Sequence, residues 1–321
     1  MSCVLTWLDV INLDIKKTLS NRNRIYLMRF KADFILLFVA LIWGTGFIAQ
    51  NVAATQGTAY LFNGVCFLLA SIFLFPLVIF RKGASELVFC RNQLIWMLLA
   101  GSVLFAATIF QQIGLFYTKV ANAGFLTSLY TVFIPFLLWC GFREIPKKID
   151  IIAILMAACG AFLLSTAGQM RLLPGDGLEI LGAIFAGLHF VIIGKYATRY
   201  NPISFAAGQF LVAGSLSLLV GLFFEQPSAL LSLPMIGAVL YRAVMPIGLG
   251  FTLQVWGQRH TSPVDAGIIL SLESVFALLF AWLLLNQQLA FIQIVGCCII
   301  LVAVLVSQLK DIETGIKQTF P

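Results

Sequence analysis

The sequence predicts an all-α polytopic membrane protein: ten transmembrane helices forming two inverted five-helix repeats. Three observations predict it. The 321 residues are 61% hydrophobic and 10% charged, with a mean hydropathy of +1.01. A soluble domain carries roughly 25% charged residues, so this chain cannot cover a water-facing surface. Apolar runs near the roughly 20 residues a spanning helix needs follow one another with short loops between them. The chain also resembles itself at a constant offset of 143 residues.

The ten runs are 34–54, 58–80, 94–117, 121–142, 150–167, 177–197, 203–224, 235–257, 263–285 and 289–308. They divide the chain into a tail (1–33), a first repeat (34–167), a second repeat (177–308) and a C-terminal tail (309–321). With the N-terminus inside, the inner segments hold most of the basic residues. Lys16, Lys17, Arg22, Arg24, Arg29 and Lys31 lie in the tail, and Arg81, Lys82 and Arg91 in the second loop. Arg143, Lys147, Lys148, Lys195, Arg199, Arg259, Lys310 and Lys317 follow. The outer loops hold Lys119 and Arg171. This asymmetry predicts ten spans with both termini cytoplasmic. It also explains the net charge of +7 as membrane orientation, with no nucleic-acid partner.

The first apolar run starts near Phe34 and is too long for a signal-peptide core. Whether the protein starts at Met1 or at Met28, which precedes Arg29, is left open. Five of the seven cysteines lie inside apolar runs and no CxxC occurs. The expectation is thiols packed as small hydrophobes, without a disulfide framework. Two histidines and no HExxH predict no metal site. No cofactor motif is present.

The repeat is clearest between 111–139 and 254–282. Gln111/Gln254, Gly114/Gly257, Thr118/Thr261, Ser128/Ser271 and Trp139/Trp282 are identical pairs. Hydrophobicity alone would not align these residue types. The same offset pairs Asp33 with Asp176 and Gly44 with Gly187. Five spans per copy is an odd number, so the second copy enters the membrane upside down. Inverted repeats are characteristic of secondary transporters, with the site near the midplane between the copies.

Four stretches carry a family resemblance: LIWGTGFIAQ (41–50), FQQIGLFYTKVANAGFLTSLYTVFIPFL (110–137), GLHFVIIGKYA (187–197) and LQVWGQRHTSPVDAGIILSLESVFALLFAWLLL (253–285). Over about residues 30–308 the chain resembles the drug/metabolite transporter superfamily in its ten-helix, two-EamA-domain form. The resemblance implies a bacterial inner-membrane transporter, often an exporter of amino acids or other small metabolites. Some members import S-adenosylmethionine. Two departures stand out. The family usually places an Arg shortly after the Asn of its second helix, where this chain reads Asn63-Gly-Val-Cys66. It also tends to close its ninth helix with Gly-Glu, where Asn286-Gln287 stand here.

Polar residues inside spans are the candidate substrate-binding or coupling residues, because a mid-bilayer charge costs a few kcal/mol and must face protein or water. Glu273 lies in the middle of the ninth span and is the candidate proton-coupling carboxylate or amine ligand. Arg242, in the eighth, offers a guanidinium fork for a substrate carboxylate; the alternative is snorkelling to the interface. His189 is mid-depth in the sixth span and would form a relay with Glu273. Trp43 suggests a pocket wall, and Tyr130 is the repeat mate of Glu273. Asn63 and Gln209 complete the set; Gln209 is the mate of Cys66, beside the family's absent Arg.

Other polar groups read as structural. Gln111 and Gln254 are expected to hydrogen-bond between helices. Asp176-Gly-Leu-Glu179 and Ser262-Pro-Val-Asp265 read as helix caps. Small pairs such as Gly182/Ala186 allow close helix contact.

The function expected is alternating-access transport of a small polar metabolite, such as an amino acid or related amine. Export and proton coupling are expected, and import of S-adenosylmethionine or another nucleoside-like metabolite is the alternative. A membrane enzyme or a lipid-linked-group flippase is the reading from another class. No GxSxG or P-loop supports an enzyme. The expected partners are a small-molecule substrate and the lipid bilayer. Homodimerisation is left open.

Overall fold

The computed structural model describes the backbone of residues 2–82, 90–166, 173–285 and 290–317, and side chains within 27–79, 90–120, 122–164, 173–284 and 290–307. Among the described residues every regular element is helical. In order they are α1 Ser2–Thr55, α2 Tyr60–Lys82, α3 Arg91–Gly114, α4 Val120–Ser128, α5 Tyr130–Phe142, α6 Lys148–Thr166, α7 Asp176–Lys195 and α8 Pro202–Phe224. Then come α9 Leu233–Arg242, a π-helical segment Ala243–Phe251, α10 Thr252–Gly257, α11 Pro263–Leu270, α12 Glu273–Leu285 and α13 Phe291–Lys317. Arg171 and the Asn286-Gln287 departure lie outside the described residues.

Eight helical stretches of the described chain are long and apolar enough to cross a membrane. A ninth apolar helix, Phe291–Ser307, is shorter. The run expected over 150–167 falls on α6, which packs along α13. α1 runs unbroken from Ser2 to Thr55, with its membrane-length apolar part at Leu27–Thr55.

The fourth and ninth spans, expected as continuous helices, are each broken in the middle. Leu129 separates α4 from α5, and Ser271-Leu272 separate α11 from α12. The breaks stand at the 143-residue offset, and hydroxyls tighten both turns alike. Ser128 Oγ donates to the Phe125 carbonyl at 2.7 Å, and Ser271 Oγ to the Ile268 carbonyl at 2.7 Å. Thr131 Oγ1 donates to the Ser128 carbonyl at 2.9 Å, and Ser274 Oγ to the Ser271 carbonyl at 2.7 Å. Such short hydroxyl bonds offer backbone carbonyls an alternative to the helical ladder.

Close approaches recur at the same offset. A Cβ on Gly44 would lie 2.5 Å from the Phe276 Cβ, and one on Gly187 would lie 3.2 Å from the Phe133 Cβ. Each glycine lets its helix, α1 or α7, lie against the second half of a broken span. Thr118 Oγ1 donates to Asp176 Oδ1 at 2.9 Å, and Thr261 Oγ1 donates to Asp33 Oδ1 at 2.9 Å. These two clasps sit at opposite ends of the bundle. The near end is where the apolar part of α1 begins; the far end is where α7 begins.

Candidate functional site

The broken spans place two side chains at the start of their second halves: Tyr130 opens α5 and Glu273 opens α12. The backbone stays in the αR region at Leu129 and at Ser271, and N–H groups just after each interruption bond back across the turn, so it is the side chains at these positions that face the centre. Both residues line one internal cavity, together with Trp43, His189 and Arg242. All five are buried or nearly so. About 80 Å³ of it admits the centres of water-sized spheres, room for several waters in this conformation.

The walls are built by local sequence. Gly250 makes space for the Trp43 indole, since a Cβ there would lie 2.6 Å from Nε1. Trp43 Nε1 donates to the Pro246 carbonyl at 3.0 Å. Pro246 has no N–H, and it lies within the π-helical segment. Such wide turns are rare and concentrate at functional sites. Trp43 also rests on Phe251, with ring centroids 4.7 Å apart. Tyr130 stacks on Phe190 at 4.7 Å. The cavity therefore has aromatic faces and a few polar groups.

Arg242 points inward, so the snorkelling alternative is set aside. Its Nη1 donates to Asn63 Oδ1 and to Gln112 Oε1 at 3.3 Å, and the guanidinium lies over the Phe62 ring at 4.9 Å. Asn63 Nδ2 in turn donates to the Thr108 carbonyl at 3.1 Å, and Gln112 Nε2 to the Gln50 carbonyl at 2.9 Å. These acceptors are neutral, and no carboxylate stands within ion-pair distance of Arg242 among the described residues. Asn63 does not line the cavity; it holds the residue that does.

Gln209 plays the same part for His189. Their Oε1 and Nε2 atoms are 2.9 Å apart, and His189 meets Phe251 edge to face at 5.9 Å. The relay expected between His189 and Glu273 is not formed as a direct hydrogen bond. The imidazole is turned to Gln209 instead. Glu273 faces the Tyr130 hydroxyl, but its Oε1 is buried without a hydrogen-bond partner, as is the Tyr130 hydroxyl. Each is the other's polar neighbour, and a ligand entering the cavity would compete for that pairing.

Two structural expectations need correction. Asp176 and Glu179 do not cap α7 by side-chain bonds to its first turn; Gly175 is the N-cap residue and makes no such bond. Asp176 accepts from Thr118 and from Asn122 Nδ2, and Glu179 is wholly buried. Gln111 does bond across helices, donating to Thr127 Oγ1 at 2.9 Å. Its mate Gln254 does not, and both its amide atoms are buried without partners. Ser262 behaves as expected, accepting from Asp265 N at 3.1 Å, and Asp265 additionally takes Arg29 at 3.0 Å. Cys66, Cys90, Cys140, Cys159, Cys297 and Cys298 are free thiols.

Sequence reasoning missed Gln112 as a partner of Arg242. It also missed Glu179, although a signal existed: the repeat mate of Glu179 is Leu36, a core residue. A carboxylate at a position whose mate is core points to a buried charge.

Membrane-length apolar helices enclosing a chamber with a few convergent polar groups define a multi-pass membrane protein of transporter type. The chain belongs to the EamA-like transporter family, whose model matches it twice, over residues 30–166 and 173–308. A protein of Archaeoglobus fulgidus described as an uncharacterized transporter is 32% identical over 286 residues, covering 88% of this chain and 87% of its own length. The Bacillus subtilis uncharacterized transporter YetK is 25% identical over 279 residues, covering 84% of each chain. One solved protein structure shares the fold with a TM-score of 0.72 at 19% identity, over 87% of this chain and 96% of its own.

Proposed function

We propose that the protein is an alternating-access secondary transporter for a small zwitterionic metabolite, an amino acid or a related amine. The observation that carries this is that a guanidinium, Arg242, and a carboxyl, Glu273, line the same cavity. The Arg242 guanidinium is held only by neutral acceptors, and the Glu273 carboxyl has an unpaired oxygen. A substrate carboxylate suits the planar guanidinium fork, and a substrate ammonium suits Glu273. Trp43 and Tyr130 supply flat apolar faces for the side chain between.

Transport by rocking requires two similar halves inserted in opposite senses. The contacts that recur at the 143-residue offset favour two similar halves; the ten spans and the cytoplasmic termini of a bacterial inner-membrane protein are read from the apolar runs and the distribution of basic residues. The two clasps, Thr118–Asp176 and Thr261–Asp33, would open alternately. We read the direction as export, with a proton exchanged at Glu273 when substrate leaves.

The test is flux in proteoliposomes, using a panel of amino acids, amines, nucleosides and S-adenosylmethionine, with and without a pH gradient. Ligands that bind the native state first show themselves by raising its melting temperature. We expect an amino acid or amine to be moved, faster with the gradient, and Glu273→Gln to lose that dependence. Wild-type flux and wild-type gradient dependence in Glu273→Gln would remove the coupling role. Flux of nucleosides alone would remove the zwitterion reading.

A further inference from the structure

The far end of the bundle holds a second buried carboxyl that the cavity's chemistry does not use. Glu179, one turn into α7, is 0% exposed. Its niche is built for it. Gly114 of α3 stands where a Cβ would lie 2.8 Å from both Cγ and Oε1 of Glu179. A directed chain of hydrogen bonds joins it to the cavity wall: Gln111 Nε2 donates to Thr127 Oγ1 at 2.9 Å, and Thr127 Oγ1 donates to Glu179 Oε2 at 3.3 Å. Gln111 and Thr127 both line the cavity. The other oxygen, Oε1, is buried with no partner.

The repeat supplies an internal control. At the matching place Gly257 makes room in the same way, but for Leu36, whose Cδ2 would be 2.8 Å from an added Cβ. The mate of Thr127 is Leu270, also fully buried. One niche therefore exists twice. Toward the near end it is plugged by two leucines; toward the far end it holds a carboxyl wired to the cavity. A packing requirement common to both halves would be met by leucine at both, so the carboxyl serves something else. Asp176, on the same helix toward the far end, is the charged neighbour of Glu179. Within α4 there is no charged residue, α3 has only Arg91 at its opposite end, and Lys119 lies just outside α4 at the exposed rim.

We propose that Glu179 is a proton-binding site distinct from Glu273, taking up and releasing a proton between the central cavity and the far end of the bundle. The proton adds to the unpartnered Oε1 and leaves by the same oxygen, so no other reactant is needed. The consequence for coupling rests on the cavity being the transport site; proton binding itself does not.

The experiment is infrared difference spectroscopy of the full-length protein in lipid, titrated with acid and base without substrate. A protonated carboxyl gives a C=O band absent from the carboxylate. We expect Glu179→Gln to lose one such titrating band and Glu273→Gln to retain it. Thr127→Val, which removes the hydroxyl donor and spares the carboxyl, should move that band to higher wavenumber. It keeps the test intact if Glu179→Gln is poorly folded. Spectra unchanged by both substitutions at 179 and 127 would overturn the proposal. So would a band displaced by sodium at constant pH, which would assign the niche to a metal cation. In proteoliposomes, Glu179→Gln should lose stimulation by a pH gradient while keeping the melting-temperature rise given by the transported ligand. If no ligand is transported, the proposed function fails and the infrared result still decides this proposal.

Discussion

Arg242 is the residue on which the site's specificity turns. A guanidinium 3% exposed inside a membrane protein is tolerated because each neighbour has been recruited to hold it. Asn63 and Gln112 accept from it, and Phe62 lies under it. Asn63→Leu removes an acceptor from a charged group; such a loss costs about 1.5–3 kcal/mol. We expect a lowered melting temperature in detergent and weakened binding of every carboxylate ligand. Arg242→Met leaves no buried charge behind, so we expect it to keep its fold while losing stabilisation by amino acids and retaining that by simple amines. Equal loss of both ligand classes would contradict the assignment. Arg242, Glu273 and His189 were legible in the sequence because ionisable groups inside apolar runs are costly. Their partners were less so. An amide on one helix bonds a charge on another 179 residues away, and nothing in local spacing records that pairing. Glu179 was misread for the opposite reason: an acid at a helix start has an ordinary local explanation as a cap.

At the scale of the helix, the breaks at Leu129 and Ser271-Leu272 decide where the polar groups point. Hydropathy shows both spans as continuous, because a break in the middle of an apolar run leaves the apolar count unchanged. Ser128 and Ser271 were read only as an identical pair between the copies, and their turn-tightening neighbours Thr131 and Ser274, which differ in type, were not singled out. The π-helical segment was similarly hidden, though Pro246 and the glycines around it are residues that disfavour a regular helix. Close packing around the breaks has a sharp consequence. Gly44→Ala would press a methyl to 2.5 Å from the Phe276 Cβ and 2.9 Å from the Ala277 backbone nitrogen. Neither atom is the end of a flexible chain, so α1 and α12 must separate. Overpacking of this kind costs about 1–3 kcal/mol. We expect a lowered melting temperature and a larger loss of flux than of ligand binding, since the substitution moves the wall carrying Glu273. Gly237→Ala, where nothing lies within 4 Å of an added Cβ, is the matched control and should behave as wild type.

Across the whole molecule the internal repeat does the most explaining. It was visible in the sequence because Gln, Gly, Thr, Ser and Trp recur in order over long stretches, and the structure turns the Gly, Thr and Ser identities into matching contacts. What the repeat could not reveal is where its halves differ. The near-end clasp adds Arg29, which reaches Asp265 at 3.0 Å and Asp33 at 3.9 Å. The far-end clasp adds Asn122, which donates to Asp176 at 2.6 Å. Among the described residues the near-end clasp thus includes an ion pair, and the donors to Asp176 at the far end are neutral. Asp265 is buried and Arg29 partly so, and pairs of that kind are screened far less than exposed ones, so we expect the near-end clasp to hold at high salt. The most direct measurement of the central claim uses two pairs of spin labels in the protein in lipid nanodiscs. One pair, at Lys31 and Ser262, spans the near-end clasp; the other, at Tyr117 and Gly177, spans the far-end clasp. On adding the amino acid or amine that raises the melting temperature, the account predicts that one distance lengthens while the other shortens. Two distances that stay fixed, or that change in the same sense, would contradict a chamber opened from each side in turn.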